Sequence, residues 1–154
     1  MGLRLGGGLV HFLWHNTAML AVEVQQYVNR ARDFLKGMDL LKEDPEEYRY
    51  SSALLGIHCA ISYCDALRIG LGSSRLASEN HSNATGDLKS RLDSKNYSRL
   101  DGLTRLRTLL SRKSKVAYGA VHVGSVESEE IVKQAQRFAF WAEEAGRQLR
   151  IEGW

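Results

Sequence analysis

Six apolar residues near the end of the chain, Ile131, Ala135, Phe138, Ala142, Ala145 and Leu149, follow one another at spacings of 4, 3, 4, 3 and 4. That rhythm places all six on one face of an α-helix and would scatter them over both faces of a strand. So long a seam needs a matching helical surface to cover it, which constrains the rest of the chain as well as its own segment. The 154 residues, 44% hydrophobic and 25% charged, suffice for one domain with a sizeable core.

The rest of the chain divides into further helical segments. Val24, Tyr27, Ala31, Phe34, Met38 and Leu41 share one stripe, and Asn16 or Thr17 is the expected N-cap of that first helix. Asp44, Pro45, Glu46 and Glu47 form a start signal for a second helix: a cap, a proline at the first position and acids in the first turn. This helix is apolar nearly all round (Ala53, Ile57, Ala60, Ile61, Cys64, Leu67, Leu71) and is expected at the centre, ended by Gly70 and Gly72. A polar loop over 72–82 leads to a shorter helix with Ala84, Leu88 and Leu92 on one side. A break at 93–96 precedes a fourth helix carrying Leu100, Leu103, Leu106, Leu110 and Ala117, and Ser125 or Ser128 is expected to cap the fifth. No period-2 pattern longer than a few residues and no internal repeat is present. The predicted fold is all-α, an up-and-down bundle of four to five helices spanning 16–151.

Residues 1–15 read as an apolar, glycine-containing leader that packs on the domain or on a partner. Its run Leu9-Val10-His11-Phe12-Leu13-Trp14 follows Gly6-Gly7-Gly8, is interrupted by His11, and lacks a clear small-x-small cleavage site. No membrane span is expected, because no stretch of about 18 apolar residues exists. Cys59 and Cys64 project about 140° apart on a helix, read as small apolar residues of a reducing compartment, and favour a cytoplasmic protein.

Several chemistries are excluded by what is missing. The five histidines, at 11, 15, 58, 81 and 122, are scattered, so no metal site and no cofactor is implied. Gly6-Gly7-Gly8 lacks the lysine and preceding strand of a phosphate loop, and no nucleophile elbow occurs. Three groupings remain. His58 and Asp65, seven apart on one face of the second helix, read either as a pocket-lining pair or as satisfied interior groups. His81, beside Glu79 and Asn80, reads as an acid–base residue in a cleft or as an ordinary loop residue. The fourth helix carries a cationic set, Arg105, Arg112, Lys113 and Lys115, flanked by Arg99 and Arg107 and followed by Tyr118. This set suits phosphate binding with Tyr118 stacked on a base, or else forms a solvated face.

The pattern Arg112-x5-Tyr118, a short loop, acids near Glu129 and Ala135-x2-Phe138 in a long closing helix resembles the HEPN superfamily. The stretch from Ile57 to Leu67 is similar to the central helix of one HEPN subgroup, in which a His and an Asp recur and a loop His follows. His58, Asp65 and His81 take those places. Over residues 17 to 150, the resemblance implies a small helical bundle, usually dimeric, of the kind found in prokaryotic toxin–antitoxin, defence and RNA-processing systems. HEPN ribonucleases place Arg, four to six residues, then His across a dimer cleft. Here Ala117 and Tyr118 stand where that His would fall, and the first downstream histidine is His122. The expectation is therefore a non-catalytic module that binds nucleic acid, a nucleotide or a cognate protein through Arg105, Arg112, Lys113, Lys115 and Tyr118. The alternative is a degenerate metal-independent ribonuclease drawing on Arg112, Tyr118, His58, Asp65 or His81, with Tyr118 a poor proton donor at its ordinary pKa of about 10. A homodimer is expected for either, because Val132, Ala139, Phe140 and Trp141 spread beyond the closing seam.

Overall fold

The computed structural model describes residues 7–73 and 83–154, with side chains from Leu13 onward. Its elements are α1 (Gly7–Leu41), α2 (Arg49–Gly70), α3 (Ala84–Ser94), α4 (Asp101–Tyr118) and α5 (Ser125–Gln148), with no strand among the described residues. No helix among them is long and apolar enough to cross a membrane.

The seam behaves as its spacing requires. Ile131, Ala135, Phe138, Ala142 and Ala145 are all buried. They pack against α2, which also touches α1, α3 and α4. An apolar surface all round α2 is what that central position demands. Contacts fix the directions. Phe34 packs on His58 while Gly37 approaches Leu55, so α1 and α2 run antiparallel. Ser52 meets Ser128 while Tyr63 meets Glu143, so α2 and α5 run parallel. Gly102 lies under Trp141 while Lys115 meets Glu127, so α4 opposes α5. Four helices thus alternate in direction, and α3 is a short insertion tied to α2 and α4.

Trp141 locks α4 onto α5. Its indole lies on the bare backbone of Gly102, where any Cβ would fall inside the ring. Its Nε1 donates to the Arg99 carbonyl at 2.9 Å, and Phe138 and Tyr97 pack at centroid distances of 5.4 and 6.4 Å. The chain's end is fixed as closely: Gly153, at φ +86°, lets the tail pass against the Ala21 backbone on α1.

Several boundaries differ from expectation, each for a local reason. Asn16 and Thr17 do not cap α1, which already begins at Gly7; the Thr17 hydroxyl instead donates back to the Leu13 carbonyl inside the helix. Asp44 does accept from the Glu47 amide, but that cap closes only an isolated turn, and α2 starts at Arg49. Neither serine caps α5. Gly124 holds the cap position and Ser125 opens the helix, while the buried Ser128 hydroxyl contacts Ser52 Oγ and donates to the Arg49 carbonyl, riveting α5 to α2. Along α4 the core residues are Leu103, Leu106, Leu109 and Val116, with Leu110 and Ala117 only half-buried and Leu100 before the first turn. Val132, Ala139 and Trp141, expected on a dimer face, are buried within the single chain, and only Phe140 is left exposed. Of the four residues on which the homodimer expectation rested, three serve the chain's own bundle.

Candidate binding groove between α4 and α5

The basic turn that ends α4 faces the first turn of α5 across the short Gly119 to Gly124 connection. Arg112 and Lys115 are three apart and project on the same side. Both reach Glu127: Arg112 Nη1 donates to Oε1 at 2.5 Å, and Lys115 Nζ donates to Oε1 and Oε2 at 2.9 and 2.7 Å. The Lys115 ammonium, against slight burial and aided by Arg112, holds the Glu127 carboxyl below the usual carboxylate range. Beside this triad lies an open groove of about 550 Å³, lined also by the buried Leu109 and Ile131, the exposed Val126, and Thr108, Glu130 and Gln134. Its volume falls in the ordinary range for ligand sites. Its charged lining is two cations, Arg112 and Lys115, against two anions, Glu127 and Glu130. Tyr118, 84% exposed, stands at the same helix end, and Val121 and Val126 are exposed close by in sequence.

The cationic set is therefore not one free face. Arg105 donates to Asp101 at 2.7 Å, one turn earlier on α4. Lys113 is half-buried and near enough to His58 to oppose its protonation. Burial first, and Lys113 second, lower the His58 pKa, and its ring packs on Phe34 at 5.8 Å. Arg99 donates to Glu144 at 2.8 Å.

No hydrogen bond or ion pair joins His58 to Asp65 among the described residues, and each has its own neighbour, Phe34 for His58 and Arg68 for Asp65. Asp65 Oδ1 lies 3.5 Å from Nη1 of Arg68, which is itself buried and whose Nε donates to Asp87 at 2.7 Å. At 3.5 Å the Asp65 contact is an ion pair too long for a good hydrogen bond, and Arg68 Nη1 makes no other hydrogen bond. Arg91 Nε also donates to Asp87, at 3.1 and 3.2 Å, so a chain of alternating charges ties α2 to α3. Asp65 serves that structural chain. His81 lies outside the described residues. No histidine is hydrogen-bonded to Arg112 or Tyr118 among the described residues, and no group of three His, Cys, Asp or Glu is placed there to hold a metal ion. Cys59 and Cys64 are buried free thiols, and burial pushes the Cys59 thiol up to about 12.

Asp65 gives a pH signature. Burial raises its carboxyl from 3.8 to about 6, because Arg68 and Arg30 offset only part of the desolvation. The folded chain then holds this proton more tightly than the unfolded chain. The associated stability is complete below about pH 4 and is lost as pH rises through about 6. In urea titrations from pH 4 to 8, wild type should lose stability relative to Asp65→Asn over that interval. Parallel curves would remove Asp65 as the source.

Of the residues singled out from the sequence, Arg112 and Lys115 line this groove, and Tyr118 stands outside its lining. Sequence reasoning missed Glu127 as the shared partner of those two cations and Val126, Ile131 and Gln134 as groove lining. The acidic run Glu127, Glu129, Glu130 directly after a basic helix was a usable sign, since a short connection returns the two ends to each other. No protein-family model matches the chain, and no curated protein or solved structure is found to be similar to it.

Proposed function

We propose that the chain is a HEPN-like, non-catalytic helical module that binds a segment of a partner protein in the groove between α4 and α5. The observation that carries this is the charge balance of the groove. Arg112 and Lys115 are both engaged by Glu127, and Glu130 offsets what remains. A phosphodiester would have to displace Glu127 from two cations at once, giving up charge-assisted hydrogen bonds that already exist. An apolar peptide uses the apolar lining of Leu109, Val126 and Ile131 and leaves the ion pairs intact. The all-helical, up-and-down fold is compatible with the HEPN resemblance, which rests on the Arg112-x5-Tyr118 pattern and the 57–67 stretch.

RNA or nucleotide binding is the second reading, favoured by one feature, the 84% exposure of Tyr118 beside Arg112. The ribonuclease alternative finds no such support: no histidine is bonded to Arg112 or Tyr118 among the described residues, and Glu127, the carboxylate bonded to Arg112, is already engaged by two cations.

Selection of a phage-displayed random peptide library against the intact chain tests the proposal. Enriched peptides should be apolar and aromatic, without excess Asp or Glu, and Val126→Asp should weaken them at least tenfold. Val126 is exposed in the first turn of α5, where an acid suits the helix dipole, so the fold should survive. The proposal fails if nothing is enriched, or if the enriched peptides ignore Val126→Asp.

A further inference from the structure

Two polar bridges join α1 to α5, helices that otherwise make little contact with each other. Arg32 on α1 donates to Glu143 on α5 through Nε and Nη2, at 2.7 and 3.0 Å. Gln136 on α5 donates to Asp39 on α1 at 3.0 Å. The bridges are seven residues apart along each helix, so they stand roughly 10 Å from each other at 1.5 Å of rise per residue. All four bridging residues line one open cleft of about 460 Å³, within the ordinary range for ligand sites. Its apolar lining is the buried Tyr63 and Ala139, the half-buried Leu35 and the exposed ring of Phe140. Leu35 falls between the two bridges on α1, and Ala139 and Phe140 fall between them on α5.

The charges of this cleft are not balanced. Asp39 accepts from Gln136 and pairs with Lys42 at 3.0 Å, and Glu143 accepts from Arg32, Tyr63 and Trp154. Both carboxylates are therefore engaged. Lys36 and Arg147 line the same cleft and make no hydrogen bond or ion pair among the described residues. The groove between α4 and α5 is the opposite case, since Glu127 there occupies both cations. With Arg32 set against Glu143 and Asp39 against Gln136, Lys36 comes opposite Ala139 and Phe140. Arg147 stands one turn beyond Glu143 on α5. We propose that this cleft binds a small aromatic carboxylate. Its ring packs on Phe140 and between Leu35 and Ala139, and its carboxylate accepts from Lys36 Nζ and the Arg147 guanidinium.

Three observations choose this ligand. The bridges limit its length: roughly 10 Å accommodates about three residues of extended chain, so a longer peptide would have to lie across two polar bridges instead of on the apolar lining. A bicyclic ring with a short acid arm fits between them. Phe140, 65% exposed, offers a ring face on which another aromatic ring packs better than an alkyl chain of equal size. The two unengaged cations call for a negative charge, which a carboxylate meets with charge-assisted hydrogen bonds, whereas a cationic ligand would be repelled. The cleft is separate from the groove between α4 and α5, so it stands or falls independently of the function proposed there.

Titration of the full chain with 1-naphthaleneacetate, followed in backbone-amide NMR spectra, tests this. Shifts should concentrate in 32–39 and 136–147 and saturate with a Kd of about 0.1 to 1 mM, the level expected of so small a ligand. 1-Naphthaleneacetamide has the same shape without the charge and should bind about tenfold more weakly or worse. Lys36→Gln and Phe140→Ala should each weaken the acid by about fivefold or more. Both positions are exposed, so the melting curves of the variants should match wild type and serve as the folding control. The absence of saturable shifts at millimolar ligand overturns the proposal, as does equal affinity for the amide or unchanged affinity in either folded variant. Shifts centred on 108–115 and 124–131 also overturn it, by placing the acid in the groove between α4 and α5.

Discussion

Gly102→Val is expected to cost about 3 to 5 kcal/mol, enough to unfold much of the population of a domain of this size. The Trp141 ring occupies the space where the Cβ of residue 102 would sit, so valine displaces an almost fully buried indole. That displacement breaks the bond from Nε1 to the Arg99 carbonyl and unpacks Phe138 and Tyr97. Urea denaturation followed by tryptophan fluorescence measures it. Gly86→Ala is the control: nothing lies within 4 Å of a Cβ there, it is inside α3, and it should gain about 0.5 to 1 kcal/mol. A double variant with Trp141→Leu should lose much less than the sum of its parts, because both changes act on one contact. Additive losses would mean that Gly102 matters for another reason.

Glu143→Gln should be the next most damaging change, at about 2 to 4 kcal/mol near neutral pH. Glu143 sits on α5 where α1, α2 and the tail converge. It accepts from Arg32 Nε and Nη2 at 2.7 and 3.0 Å, from the Tyr63 hydroxyl at 2.7 Å and from Trp154 Nε1 at 3.0 Å. An amide offers one acceptor oxygen in place of two and presents donors to donors. Burial alone would raise the Glu143 pKa, but the bonds from Arg32, Tyr63 and Trp154 outweigh it and hold the carboxyl at about 2. Its stabilisation is therefore complete above the ordinary value of about 4.5 and drains away as pH falls toward 2. The amount is about 2 kcal/mol after allowance for partial screening. As pH falls from about 4.5 toward 2 the variant and wild type should converge in stability. A constant gap from pH 7 to pH 2.5 would show that packing, and not the charge, is what Glu143 contributes.

Glu143 also shows where sequence reading stops. It lies next to Ala142 in the closing seam, and nothing in the spacing says that Arg32, 111 residues earlier, will reach it. Periodicity reports which face of a helix is buried, so Ile131 to Ala145 and the central place of α2 were legible. It does not report which helix covers that face. For this reason Val132, Ala139 and Trp141 looked like surplus surface when they were in fact the contacts to other helices. The same limit governs Asp65. Its partner at i+3, Arg68, stood in plain view on the same helix face, but the seven-residue spacing to His58 drew attention instead. Caps failed more locally. Asp44 and Pro45 do make the turn their chemistry favours, yet the helix begins only where the chain can pack against α1 and α5. At the groove, the cations were identified and their neutralising carboxylate was not, because ion pairing between two helices depends on how they dock.

That carboxylate is the centre of the functional proposal. Fluorescence anisotropy with a labelled 20-nucleotide single-stranded RNA at 50 mM salt probes it most directly, in wild type and in Glu127→Gln. With Glu127 engaging Arg112 and Lys115, wild type should show no saturable binding below about 100 μM, and Glu127→Gln should gain measurable, salt-sensitive affinity as the two cations are freed. Submicromolar RNA binding by wild type, abolished by Arg112→Ala, would contradict the proposal and make this groove a nucleic-acid site.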